Sequence, residues 1–319
     1  MNPELSVSNL KLDVVLPLAN RDYERFEILR KSLQRFFPDL GTCWVVVSDR
    51  EYDQIRSKIR DSRYRLIAES TIIPELRFYD FLRVMLGRSH KPLGGWVTQQ
   101  LRKLAIAQNI NSQFYLTLDA DVICTRLVRY SDLIRGDRAL GDKAPLDIHR
   151  GWYERAAQVL RVPSVSGWHN LAPTLLSRDA VLMLQKHLAS RVHPVLRALS
   201  PVLVRQSALN NVVVSWRSYL LRNLPWTEYA LYYTFLEAMN LYDRYHVVDP
   251  DTVLEGNSVW KREEFASWDP RKSFCGRGKP NFFFAVVQSN LEIDAAQVWE
   301  KIRPYLEASE APLRGPNPA

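Results

Sequence analysis

Cysteine is scarce in this chain. Its 319 residues hold three, Cys43, Cys124 and Cys275, far apart and with no CxxC pair. That spacing argues against a cysteine-built zinc site, and a small odd number suits a reducing compartment. Long apolar runs are missing as well. Nothing approaches the roughly 18 residues of a membrane span, and the first ten residues carry no apolar run of signal length. The simplest address expected from the sequence is therefore cytoplasmic. There is no Gly-x-Gly-x-x-Gly pattern and no Walker lysine loop, which disfavours dinucleotide and P-loop enzymes. Lys and Arg are scattered, with no long run and no aromatic-basic repeat, so nucleic acid is not an expected partner.

What is present points elsewhere. Apolar residues make up 46% of the chain, enough for a sizeable core in one large domain or two small ones. Nine Trp and fourteen Tyr are core filling in the first instance, but such rings also build platforms for sugars and bases. The formal net charge of +8 favours an anionic partner, a nucleotide, a phosphate or an acidic membrane surface. Peripheral contact with an anionic membrane at its inner face would suit a lipid-linked substrate.

The first seventy residues alternate. Strands are expected at 12–16 (stopped by Pro17), 43–47 and 64–68, with helices at 22–36 and 51–60 between them. This is a parallel α/β beginning without hairpin signals. Helices are expected at 78–86 and 96–108, around a loop at 88–95. The stretch 114–123 then reads as one buried strand carrying Asp119 and Asp121 at its carboxyl end. Residues 126–147 read as a loop-rich insertion or a boundary between halves, 164–173 as a polar-aromatic loop and 249–278 as a further loop. Helices are expected at 152–160, 178–188, 207–221, 226–241 and 295–306, and strands at 175–176, 246–248 and 282–288. The tail from Ala311 is expected to fray.

The acidic pair is the centre of the functional reading. In an extended segment residues i and i+2 point the same way, so Asp119 and Asp121 could grip one ion. Oxygen ligands suit Mg²⁺ or Mn²⁺. The competing reading is an ordinary pair of loop carboxylates. His246 and His169 are the candidates for a third ligand. Gln99 and Lys103 stand four apart on the preceding helix, and Lys103 could meet a phosphate; taken alone, an exposed helical lysine is the stronger reading. Asn20 and Arg21 follow the first strand and Asp49 follows the second, where open α/β sheets bind nucleosides. The competing reading there is helix capping. Glu228 opens an aromatic-rich helix and is the first choice as a general base, with Glu237 and Asp243 as rivals.

Taken together, Asp119-Ala120-Asp121 and the preceding Gly95-Trp96, Gln99-Gln100 and Lys103 resemble glycosyltransferases of the GT-A type. More closely, they resemble a bacterial family of uncharacterised glycosyltransferases with a DxD motif. The resemblance spans most of the chain, 12–288, and includes Asn170-Leu171-Ala172-Pro173, Ser177-Arg178, Thr227-Glu228-Tyr229 with Tyr232, and Gln288-Ser289-Asn290. It implies an α/β fold with a Rossmann-like, mostly parallel central sheet, flanking helices and a helix-rich acceptor half. Residues 1–125 would form the nucleotide-sugar half ending in the DxD motif, 126–310 the acceptor-binding and sheet-completing half of the same domain, and 311–319 a flexible tail. Asp121 and Asp119 would hold Mn²⁺ or Mg²⁺ against the diphosphate of a nucleotide-sugar. Pro17, Asn20, Arg21 and Asp49 would contact the nucleoside. Gln99 and Lys103 would lie near sugar or phosphates, and His169, Asn170 and Glu228 would face donor sugar and acceptor. The expected reaction is sugar transfer to a hydroxyl of a glycan, polysaccharide or lipid-linked acceptor. Inversion is slightly preferred, with Glu228 as base; in a retaining reaction Glu228 would orient the substrates. The alternatives are a nucleotidyltransferase or other phosphoryl-transfer enzyme, and a non-catalytic carbohydrate- or nucleotide-binding protein.

Overall fold

The computed structural model describes residues 10–77, 94–142, 149–163, 169, 173–192, 215–276 and 278–308. The helix expected at 78–86, Asn170 and the tail from Ala311 lie outside the described residues.

A five-stranded sheet organises the molecule. Its strands are β1 (Leu12–Leu18), β2 (Leu40–Val47), β3 (Tyr64–Ala68), β4 (Phe114–Thr117) and β8 (Thr174–Ser177), in the order β3-β2-β1-β4-β8. The first four run parallel, and β8 is antiparallel to β4. Val14, Val15 and Leu16 on β1 and Val45, Val46 and Val47 on β2 are fully buried. Helices cover both faces of such a sheet, which is why these strands read as continuous apolar runs rather than alternating ones. Pro17 does not stop β1. It pairs in register with Val46 of β2, and β4 matches β1 only at Asp13, Val14 and Val15. By Pro17 the β4 chain has left the sheet, so the missing N–H leaves no carbonyl on that side unpaired.

That departure matters most for the site. Residues 114–123 are not one strand. β4 ends at Thr117, Val122 N–H closes a turn on Asp119 O at 3.2 Å, and the chain resumes as β5 (Val122–Cys124) in another sheet. That sheet has the order β10-β11-β5, where β10 is Thr252–Glu255 and β11 is Asn281–Val286. A third small sheet joins β6 (Ile134–Arg135), β7 (Arg138–Gly141) and β9 (His246–Val248). The regions 126–147 and 249–278 are thus not loops throughout: the first holds the β6–β7 hairpin, the second β10 and two four-residue helices. These strands are two to four residues long, too short for a period to declare itself.

Seven helices of seven residues or more are described: α1 (Tyr23–Phe36), α2 (Gly95–Ala105), α3 (Arg150–Leu160), α4 (Arg178–Ser190), α5 (Trp216–Arg222), α6 (Glu228–Ala238) and α7 (Ala295–Glu307). In α1, Phe26, Leu29, Leu33 and Phe36 recur at three- and four-residue steps and face the sheet. Pro38 bars its continuation. α6 is buried from Glu228 through Leu236, the mark of a central helix packed on every side. It lies against α2, α3 and α4. Thr227 caps it, its hydroxyl accepting the Ala230 N–H at 3.1 Å. Among the described residues, no helix is long and apolar enough to cross a membrane.

Candidate active site

The site grows from the turn between two sheets. β4 delivers Asp119 to the carboxyl edge of the parallel sheet, and β5 carries the chain away immediately after Asp121. The two carboxylates are not side by side on a strand, as an extended segment would place them. Because the backbone turns at 120–121, they take different partners. Asp119 Oδ1 is 2.8 Å from Lys103 Nζ. Asp121 Oδ2 accepts the backbone N–H of Ser289 at 2.8 Å, and its carbonyl accepts that of Val287 at 3.1 Å. The Ser289 side chain also bonds the Asp121 carboxylate. Burial and then the Asp119 charge raise Asp121 to about 6, against the pull of Ser289 and Arg25. The pair still feels its mutual repulsion, the condition that a shared cation relieves.

Lys103 lies behind Asp119, on α2, with 3% of its surface exposed. Its ammonium meets Asp119, Glu228 Oε1 at 3.0 Å and the Tyr229 hydroxyl at 3.0 Å. Burial alone would push the ammonium down, but Asp119, Tyr229 and Glu228 outweigh it and hold the group well above its ordinary value. Glu228 is equally buried, and desolvation raises its carboxyl in spite of Lys103. Tyr229 passes the network on to Thr117 Oγ1 at 2.9 Å, and Thr117 donates to Thr174 O at 2.8 Å. Gln100 Oε1 accepts the Glu228 N–H at 3.0 Å and fixes the first turn of α6. Lys103, Asp119, Glu228, Tyr229, Thr117 and Gln100 thus form one connected polar core at the sheet edge.

The structure therefore brings together Asp119, Asp121, Lys103 and Glu228. Gln99 is half-buried and makes no hydrogen bond to the described residues; its neighbour Gln100 enters the network instead. Along the same edge, Asp49 binds Ser70 N–H at 3.1 Å and Arg77 at 2.6 Å, and the Ser70 hydroxyl also donates to it. Asn20 donates its N–H to Glu51 at 3.0 Å and accepts from Lys58 at 2.9 Å. Arg21 is 82% exposed beside Asp22.

Neither histidine reaches the acidic pair. His246 Nε2 shares a 2.8 Å hydrogen bond with the Tyr232 hydroxyl, in a buried cluster with Tyr233 and Tyr242. His169 stacks on Tyr233 at 4.0 Å and meets Glu237 at 3.2 Å. Glu237 is nine residues along α6 from Glu228, about 13 Å of helix rise. Among the described residues, no three His, Cys, Asp or Glu side chains stand together to hold an ion. His246 as third metal ligand is corrected accordingly: aromatic packing on α6, not the sheet edge, decides its place.

Thr117 and Arg25 are the participants that sequence reasoning passes over; Gln100, Tyr229 and Ser289 stand in the motifs that carry the resemblance, but without a role. Thr117 had a signal, a lone hydroxyl in an otherwise apolar strand. Gln100 had one too, three residues from Lys103 on a helix. Arg25 had none, since its role depends on contacts across the whole chain.

These features define an α/β protein with a carboxylate pair where its parallel sheet hands the chain to a second sheet. The chain belongs to a family of unknown function, DUF6492, whose model matches residues 9–310. No curated protein matches it. It is similar to several solved structures at low identity. The galactosyltransferase LgtC, in complex with donor and acceptor sugar analogs, matches at 13% identity over 86% of this chain and 87% of its own, with a TM-score of 0.41. Mouse xyloside xylosyltransferase 1 matches at 13% identity over 89% of this chain and 99% of its own, with a TM-score of 0.42. The glycosyltransferase GlyE of Streptococcus pneumoniae TIGR4 matches at 14% identity over 92% of this chain and 63% of its own, with a TM-score of 0.37. At these scores the likeness carries no chemistry from one protein to another.

Proposed function

We propose that this chain is a glycosyltransferase of the GT-A type that uses Mn²⁺ or Mg²⁺ and moves a sugar from a nucleotide-sugar to a hydroxyl of a glycan or lipid-linked acceptor. The observation that carries the reading is the placement of Asp119 and Asp121 in a turn at the carboxyl edge of a parallel sheet, backed by the buried Lys103–Glu228 pair. Ligands of open α/β sheets bind at that edge.

The donor set fits a divalent cation. The two carboxylates offer hard oxygen donors, and a site with two protein carboxylates leaves positions for diphosphate oxygens and water, a common arrangement for Mg²⁺. When bound, the metal would supply Lewis-acid stabilisation of the departing diphosphate. The chain's own residues do the rest. Lys103 fixes the Asp119 carboxylate and places a permanent positive charge beside the leaving group. Glu228 and Tyr229 hold Lys103. Pro17, Asn20, Arg21 and Asp49 flank the space for the nucleoside, with residues 1–125 as the donor half and 126–310 as the acceptor half.

The sequence favours Glu228 as the base of an inverting reaction. Its 3% exposure and its ion pair with Lys103 suit a positioning role better, since a base must reach the acceptor hydroxyl. We therefore favour retention of configuration, which needs no base on the opposite face.

The test is calorimetric titration with UDP, GDP, CDP and CMP, each with Mn²⁺ and with EDTA. One nucleoside diphosphate is expected to bind only with metal, and Asp121→Asn is expected to weaken that binding about 100-fold while the protein stays folded. Metal-independent binding of equal strength would leave the non-catalytic reading standing. Release of pyrophosphate rather than a nucleoside diphosphate would favour nucleotidyl transfer instead.

A further inference from the structure

Arg25 lies on α1, far from the acidic pair in sequence, and is 8% exposed. Its guanidinium donates to two carbonyls: Nη1 to Val287 O at 2.8 Å, and Nη2 to Ile293 O. Those carbonyls bracket the short 3-10 turn Ser289–Leu291. The first residue of that turn gives its N–H to Asp121. Arg25, Ala120, Asp121 and Val287 line one small cavity, which places Arg25 beside Asp121. Arg25 makes no direct ion pair among the described residues; Asp121, Asp22 and Asp294 offset its buried charge from a distance. A buried arginine without a bonded carboxylate is costly unless its planar fork is needed. Here the fork spans two carbonyls six residues apart, a reach that a single ammonium lacks.

We propose that Arg25 is a positioning residue that clamps both ends of the 287–293 loop, so that the Ser289 N–H stays aimed at Asp121 and holds its carboxylate in a metal-binding orientation. This rests on the glycosyltransferase reading only for the use of the metal. The clamp itself is a statement about the loop.

The test pairs two readouts on the full chain. Amide hydrogen exchange reports the Ser289 N–H directly. Manganese titration followed by electron paramagnetic resonance reports affinity for the metal alone. Arg25→Met removes both bonds, and Arg25→Lys keeps the charge but frees a carbonyl. Both are expected to speed Ser289 exchange at least about tenfold and to weaken Mn²⁺ binding about tenfold, the usual cost of losing a group that orients a ligand. Ser289→Pro removes the N–H donor together with the hydroxyl that also bonds Asp121, and Ser289→Ala, which removes the hydroxyl alone, is its control. The site accepts proline, since Gln288 has φ −54° and ψ 128° and Ser289 opens the turn. Ser289→Pro is expected to weaken Mn²⁺ to the same degree, and adding Arg25→Met to it should cost little more. Unchanged Ser289 exchange in folded Arg25→Lys, or additive effects of the two substitutions on Mn²⁺, would overturn the clamp. Should the wild type bind no Mn²⁺, the metal reading fails while Ser289 exchange still decides the clamp.

Discussion

Lys103 carries its charge at 3% exposure because two carboxylates and a phenol surround it. Removing one partner of such a group is worse than never having had it, because the remaining charges stay buried. Lys103→Met is therefore expected to destabilise the protein by about 3–5 kcal/mol in urea melts; a change below about 1 kcal/mol would contradict the pairing. His246 makes the opposite point. Burial, then the neighbouring His169, lowers its imidazole from 6.5 to about 3. The unfolded chain binds that proton more readily, so the contribution to stability is whole above pH 6.5 and is lost as pH falls towards 3. The gap in urea midpoint between wild type and His246→Gln is expected to shrink between pH 7 and pH 4.5. A gap independent of pH would mean that His246 titrates normally.

At the scale of elements, α6 does the most. It is apolar on all sides, yet its first turn supplies Glu228 and Tyr229 to the polar core. A central helix places such groups with little play, provided that its start is fixed. Thr227 fixes it by capping, and Gln100 by holding the Glu228 N–H. Thr227→Ala is expected to cost about 1 kcal/mol, with Thr227→Ser recovering most of it. Elements with a strong period or long apolar runs were legible in advance. β3 falls where the residues put it, and α1, α3 and α4 within two residues. The β6–β7 hairpin and β10 were not, because strands of two to four residues owe their form to their neighbours.

At the scale of the molecule, no line at residue 125 separates two independent halves. β4 needs β8 as its edge partner, and β5 needs β11, both supplied from beyond that point. A fragment of residues 10–125 would leave both strands with open edges. It is expected to show no cooperative urea transition by circular dichroism; a sharp one would mean that this segment folds alone. Arg25 makes the same connection from the other end, joining α1 to carbonyls 262 and 268 residues away.

The sequence by itself determined that an α/β sheet forms, and it set Asp119 and Asp121 directly after an apolar strand. Apolar runs and helical spacing are local properties, and an acidic pair directly after a buried strand is visible in one dimension. Only the tertiary structure decided how those residues meet. It turned the chain at 120–121, so that the two aspartates took separate partners. It drew His246 and His169 into the tyrosines around α6 and away from the pair. It also brought Ser289 and Arg25 to Asp121 from opposite ends of the chain. Hydrogen bonds and ion pairs act over a few ångströms of space whatever the separation in sequence, so these contacts exist only once the sheets have packed.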